Sequence, residues 1–168
     1  TGAVLSRADL ERIRDLAVAH DCWVLSDEIY ARLTHAGAPD HVAPASLDGM
    51  AERTVTTGGL SKAYAMSGWR LGYLTGPEPV VDAVRRLQSQ TTSAATTFAQ
   101  HGAVAALRGP DEPIRAARET YADRLDAARD VLADAGLDVP RPDAAFYLFV
   151  PVGIDDDVIA GIGTGDLS

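Results

Sequence analysis

The chain has 168 residues, 46% of them hydrophobic and 23% charged, the balance of a soluble globular protein with one core of ordinary size. A net charge of −9 and a pI near 4.7 argue against nucleic acid and anionic membranes as partners, yet leave room for one local basic pocket. A single cysteine, Cys22, excludes an internal disulfide, and no apolar run reaches the roughly 18 residues of a membrane span. A reducing, cytoplasmic location is the expectation. The opening "TGAVLSRADL" shows neither a signal-peptide pattern nor a starting Met, so the sequence is read as part of a longer protein.

Ser6 and Asp9 precede Leu10, Ile13, Leu16 and Ala17, a spacing that predicts a capped amphipathic helix ending near His20. "CWVL", 22–25, predicts a short buried strand running into the polar "SDEIY", and Trp23 and Trp69 are expected in the core. Residues 35–50 carry Gly37, Pro39, Pro44 and Gly49 and predict a loop. "RTVTTGG", 53–59, predicts a second strand closing in glycines, and "LGYLTG", 71–76, a third stopped by Pro77. Helices are expected over 78–89 and 97–108, and after the break "GPDEP" over 114–135, where Gly136 ends the run. "AFYLFV", 145–150, predicts another strand. Strands alternating with helices predict an α/β fold with a mostly parallel sheet. His20, His35, His41 and His101 show no metal spacing and are read as surface or loop residues. "GIGTG", 161–165, follows no strand–helix pattern and is read as a linker, and the acidic run 155–157 as a solvated turn.

The chemistry concentrates in "TTGGLSKAYAMSGWRLGY", 56–73, which follows a strand, opens with glycines and carries Ser61, Lys62 and Arg70. A strand end is where open α/β sheets bind ligands, and glycines there leave backbone N–H groups free to face an anion. A P-loop needs Gly-Lys-Ser/Thr, whereas the order here is Ser-Lys-Ala. Lys62 is instead a candidate covalent catalyst, since a lysine amine condenses with an aldehyde. If that aldehyde is pyridoxal phosphate, the site needs a cation for the phosphate, an acid for the pyridine nitrogen and a donor for the ring hydroxyl. Arg70, Asp27 and Tyr30 are of the right types. A pyridinium partner also explains why Asp27 stands at the end of a strand expected to be buried, where an unanswered charge costs several kcal/mol.

"SDEIY" followed by "GGLSKAYAMSGWRLGY" resembles the fold-type-I pyridoxal-phosphate enzymes, specifically the class I/II aminotransferases of the aspartate aminotransferase superfamily. The leading "TG", "LQSQTTS" and "PDAAFYLFV" extend the resemblance from residue 1 to about 150. It implies that Lys62 is the aldimine lysine, Asp27 the pyridine-nitrogen partner, Tyr30 the donor to the ring oxygen, Arg70 the phosphate arginine and Ser61 a phosphate neighbour. It implies residues 1–113 as the C-terminal half of the cofactor-binding large domain, and 114–168 as an interdomain helix and the beginning of the small domain. It implies a reaction that moves an amino group between an α-amino acid and an α-keto acid. It further implies a homodimer with active sites at the subunit interface, with 88–93 expected to reach the neighbouring site.

The sequence departs from the family where Ala144 replaces a Gly and Ser67 a Thr. The family's glycine-rich phosphate cup and its late substrate-carboxylate arginine do not occur in these 168 residues. The alternatives are another pyridoxal-phosphate reaction on the same fold (oxidase, lyase or decarboxylase) and a non-catalytic truncated relic that acts as an interaction partner.

Overall fold

Ser6 opens the first helix as expected. Its hydroxyl accepts from the Asp9 backbone N–H at 3.2 Å and donates to the Asp9 carboxylate at 2.6 Å, while the Ser6 N–H reaches the same carboxylate at 3.3 Å. This capping box starts α1, Arg7–Ala19, in a structure, a computed structural model, that describes residues 2–151. One face of α1 buries Leu10 and Ala17 against Leu47 and Met50, with Ile13, Val24 and Val42 alongside.

Removing the cap by Ser6→Ala is expected to cost about 1 kcal/mol, seen as a lower urea midpoint. An unchanged midpoint would show that the box contributes nothing. The Ser6 hydroxyl, and after it the Ser6 backbone, hold the Asp9 carboxyl below its ordinary value. A depressed carboxyl stabilises the fold above its ordinary pKa, and that contribution is lost as pH falls through the folded value.

Three strands form the sheet in the order β1-β2-β3: β1 Val24–Asp27, β2 Thr54–Gly59 and β3 Gly72–Thr75. β1 and β2 are parallel, with Asp27 opposite Thr57, whereas β2 and β3 are antiparallel, with Gly59 opposite Gly72. The helices α2 Glu78–Thr91, α3 Thr97–Arg108 and α4 Glu112–Asp134 follow close to their expected bounds. α4 stops as the sequence predicts: the Leu137 N–H returns to the Leu132 carbonyl while Gly136 takes a φ of 81°. Glycine adopts that left-handed conformation without a Cβ penalty.

Three expectations are corrected. Residues 145–150 form no strand, because Ala144 makes a single bridge to Thr34 and Ala145 then turns the chain with a φ of 67°. β1 is buried on one face only: Val24 and Ser26 are half-buried, but Leu25 is 72% exposed. It is an edge strand, and no described element covers its outer face. Trp23 and Trp69 are likewise exposed rather than in the core. Trp69 lies against α3 and meets Phe98 edge-on at 6.1 Å. Gly102 makes room for it, since a Cβ there would stand 2.4 Å from the indole ring. That close approach accounts for a glycine inside a helix, where it costs about 1 kcal/mol relative to Ala.

Two further apolar clusters flank the loop after β2. Leu33, Ala63 and Ile114 pack with Tyr30, Tyr64, Tyr121 and Phe146, and Leu60, Met66 and Ala103 pack with Tyr64, Leu71 and Ala106. The segment 155–157 and "GIGTG" lie outside the described residues.

Candidate functional site

Parallel pairing brings the C-terminal ends of β1 and β2 side by side, the edge at which open α/β sheets take ligands. Beyond β2 the chain is stapled twice. Leu60 is buried in one cluster and Ala63 in the other, so Ser61 and Lys62 are carried on a turn with both ends anchored. Backbone bonds from Ala65 N–H to the Lys62 carbonyl (3.2 Å) and from Met66 N–H to the Leu60 carbonyl (3.3 Å) close it.

Lys62 is half-buried and is the only lysine of the chain. Its Nζ lies 5.7 Å from the centre of the Tyr30 ring and 5.3 Å from that of Phe146, within the range of cation–π attraction. No hydrogen bond or ion pair engages it among the described residues. Its amine is therefore held in place by packing and stays free for a ligand.

Tyr30 follows the turn after β1, and its hydroxyl stands 2.6 Å from that of Tyr147. Burial first, and then the hydrogen bond with Tyr147, push the Tyr30 phenol up to about 12, with the charges of Tyr147 and Asp27 adding to the effect. Folding thus favours the protonated phenol. Its contribution to stability is full below the ordinary phenol value near 10 and is lost as pH climbs through about 12. Tyr30, Tyr147 and Asp27 line one cleft of about 320 Å³ together with Glu28 and His41.

The expectation of a buried Asp27 is not met. Its side chain is exposed, and Oδ1 accepts the Ile29 N–H at 3.2 Å, capping the turn after the strand. The carboxylate that turns inward is the next one, Glu28, which is 12% exposed. It accepts from Ser26 Oγ at 3.1 Å and Thr56 Oγ1 at 3.4 Å, and pairs with His41 Nε2 at 2.9 Å. Asp27 remains in the cleft with no cationic partner among the described residues.

Arg70 stands near the end of the loop that joins β2 to β3, beside Leu71, whose carbonyl accepts the Leu60 N–H at 3.4 Å. It has a left-handed φ of 54°, and Nη1 donates to the Ser67 carbonyl at 2.8 Å. The rest of its guanidinium is exposed and meets no carboxylate among the described residues. No hydrogen bond joins Ser61 or Arg70 to Asp27, Tyr30 or Lys62. The structure brings Lys62 and Tyr30 into contact, puts Asp27 in the same cleft as Tyr30, and leaves Ser61 and Arg70 elsewhere in the loop that carries Lys62.

Phe146 and Tyr147 are site neighbours that the sequence reading assigned only to a strand. Nothing local links them to Tyr30. They arrive because 143–145 is tied down from several sides. The Gly2 carbonyl accepts from Asp143 and Ala144 N–H groups, the Leu33 carbonyl accepts from Ala145 N–H, and the Asp143 carbonyl accepts from His35 N–H. His35 Nε2 is 2.8 Å from the Ala145 carbonyl. The histidine lies in a loop, one of its two expected settings, but is buried at 7% exposure rather than on the surface, because its ring bridges two segments distant in sequence.

A family profile described as aminotransferase class I and II matches residues 1–155. The chain belongs to the class I and II aminotransferases. It is 43% identical over 151 residues to aromatic-amino-acid aminotransferase 2 of Thermococcus litoralis, covering 89% of this chain and 39% of that protein. It is 40% identical to the aspartate aminotransferase of Bacillus subtilis, covering 89% of this chain and 38% of the relative. The arginine–pyruvate transaminase of Pseudomonas aeruginosa is 40% identical over 164 residues, with 95% and 41% covered. Among solved structures, the aromatic aminotransferase from Pyrococcus horikoshii superposes with a TM-score of 0.86 at 38% identity, covering 90% of this chain and 41% of that one. The fold is therefore that of the fold-type-I aminotransferases, α/β with a sheet and flanking helices. This aminotransferase-family chain spans about two-fifths of the length of the relatives it matches.

Proposed function

We propose that the chain is part of a pyridoxal-phosphate-dependent aminotransferase that moves an amino group between an α-amino acid and an α-keto acid. The observation that carries the reading is Lys62: the chain's sole lysine, half-buried at a strand end against two aromatic rings, with no hydrogen-bond or ion-pair partner among the described residues. The donor set also fits the cofactor. Among the described residues Asp27, Lys62 and Arg70 stand in no ion pair, as do Arg86, Arg108, Arg118 and Arg124; what marks the three is their place, Asp27 at the end of β1 and Lys62 and Arg70 in the loop that joins β2 to β3.

Bound pyridoxal phosphate supplies an electron sink that eases loss of the proton on the amino acid's α-carbon. The chain's own groups do the rest. Lys62 would hold the cofactor through its amine, and the same amine would take and return the α-carbon proton as general base and acid. The Asp27 carboxylate holds a proton on the pyridine nitrogen, because a neighbouring anion favours the charged form of that base. The Tyr30 hydroxyl donates to the ring oxygen, which its raised pKa permits at any physiological pH. Arg70 offers guanidinium N–H groups to the phosphate, and the Ser61 hydroxyl offers one further donor there.

In this reading residues 1–113 belong to the large domain and 114–168 begin the small one, and the protein is a homodimer with 88–93 turned toward the partner's site. The exposed thiol of Cys22 fits a reducing cytoplasm, and among the described residues no helix is long and apolar enough to cross a membrane. The relatives' names span aromatic amino acids, aspartate and arginine, so the substrate is proposed as a class.

Borohydride reduction in the presence of pyridoxal phosphate, followed by peptide mapping, tests the reading. A stable pyridoxyl adduct on Lys62 is expected. Labelling of the α-amino group alone would overturn it.

A further inference from the structure

Tyr147 is remote from Tyr30 in sequence, yet their hydroxyls are 2.6 Å apart and their rings meet edge-on at 5.6 Å. The segment that presents Tyr147 is fixed independently of Tyr30. Ala145 is bonded through its N–H to Leu33 and through its carbonyl to His35, and Phe146 packs on Tyr121 with ring centres 5.1 Å apart. Tyr147 therefore offers Tyr30 a fixed hydroxyl inside the cleft that both residues line.

A phenol has one proton to donate and an oxygen that accepts. While Tyr30 donates to Tyr147, it has no proton for a ligand. When Tyr147 donates instead, the Tyr30 oxygen is satisfied and its proton must point elsewhere. We propose that Tyr147 is a positioning residue for Tyr30: its hydroxyl holds the phenol beside Lys62 and, by turning from acceptor to donor, directs the Tyr30 proton onto an anionic ring oxygen of a ligand held at Lys62. The balance is simple. The Tyr30→Tyr147 hydrogen bond breaks, Tyr147→Tyr30 and Tyr30→ligand bonds form, and no proton leaves either phenol. The inference rests on the reading of Tyr30 as a cofactor-binding residue. The titratable groups around Tyr30 are Asp27 on its own turn, Glu28 and His41 in the same cleft, Lys62 over its ring, Tyr147, and Tyr64 and Tyr121 in the shared apolar cluster.

Tyr147→Phe deletes the hydroxyl and keeps the ring. Ring-13C tyrosine NMR of the cofactor-free chain, with Tyr30→Phe to assign the resonance, reads the effect directly. The Tyr30 midpoint is expected to move while those of the other tyrosines do not: a fall toward the ordinary phenol value shows Tyr147 accepting from the neutral phenol, and a rise shows it donating to the phenolate. An unmoved Tyr30 midpoint overturns the proposal. Should Tyr147→Phe collapse the dispersion of the tyrosine signals, 3-fluorotyrosine at position 147 preserves the shape: it ionises before Tyr30, and its anion 2.6 Å away is expected to raise the Tyr30 midpoint, an unmoved midpoint again overturning the proposal.

Titration of the visible band of the pyridoxal-phosphate-loaded protein is the second readout. The Tyr147→Phe midpoint is expected above that of the parent, because a weakened Tyr30 donor stabilises the ring oxygen's anion less. Equal midpoints overturn the ligand-directing half. A parent that takes up no cofactor at Lys62 refutes the functional reading, and the cofactor-free titration still decides whether Tyr147 governs Tyr30.

Discussion

Lys62→Ala is expected to abolish the borohydride-stable pyridoxyl adduct within this chain, because no second lysine exists to take over the attachment. Turnover by the complete protein is expected to fall by at least roughly 10²–10⁴-fold from the lost proton transfer alone, and further from the lost covalent attachment. The fold should be unaffected. Lys62 Nζ makes no hydrogen bond or ion pair among the described residues, and the turn that bears it is anchored by Leu60 and Ala63. Mass spectrometry of the reduced protein and a thermal melt separate these effects. Retained activity with an intact melt would remove Lys62 from the mechanism, and a collapsed melt would make it a structural residue.

Leu33→Ala is the core substitution expected to cost most near the site, about 2–5 kcal/mol, because the removed atoms leave a cavity that a well-packed interior closes only in part. Leu33 is 0% exposed and sits among Ala63, Ile114, Tyr30, Tyr64 and Phe146. The cavity therefore opens behind the lysine turn and behind both rings that face Lys62. Chemical denaturation should show a clearly lower midpoint, and the Tyr30 resonance should broaden as its packing loosens. A loss under about 1 kcal/mol would mean that the cluster relaxes into the space, and that the site does not depend on this packing.

Much of the scaffold was legible because its signals are local. Ser6 with Asp9 marks a helix start through groups three residues apart, and Gly136 marks a helix end through its own backbone freedom. α3 lies where its pattern put it, and β2 closes in the glycines that announced it. The candidate site stood out for a similar reason: "SDEIY" and "GGLSKAYAMSGWR" each cluster unusual residue types at the end of an apolar run.

What escaped the sequence depends on partners far along the chain. Asp27 and Glu28 are adjacent carboxylates, and only the exit angle from β1 decides that Glu28 turns inward to Ser26, Thr56 and His41 while Asp27 stays exposed. His35 is buried because the Ala145 carbonyl lies over it, which no pattern around residue 35 records. Trp23 and Leu25 have the composition of a buried strand, yet burial needs a covering element and none of the described ones supplies it.

By itself, then, the sequence determined the helices, the glycine end of β2 and which lysine is the candidate, because these follow from spacing, backbone freedom and side-chain chemistry within a few turns of chain. Only the tertiary structure decided which carboxylate is shielded and that Tyr147 meets Tyr30. Those outcomes depend on how separately anchored segments converge in space, and contact between distant residues leaves no local trace in the sequence.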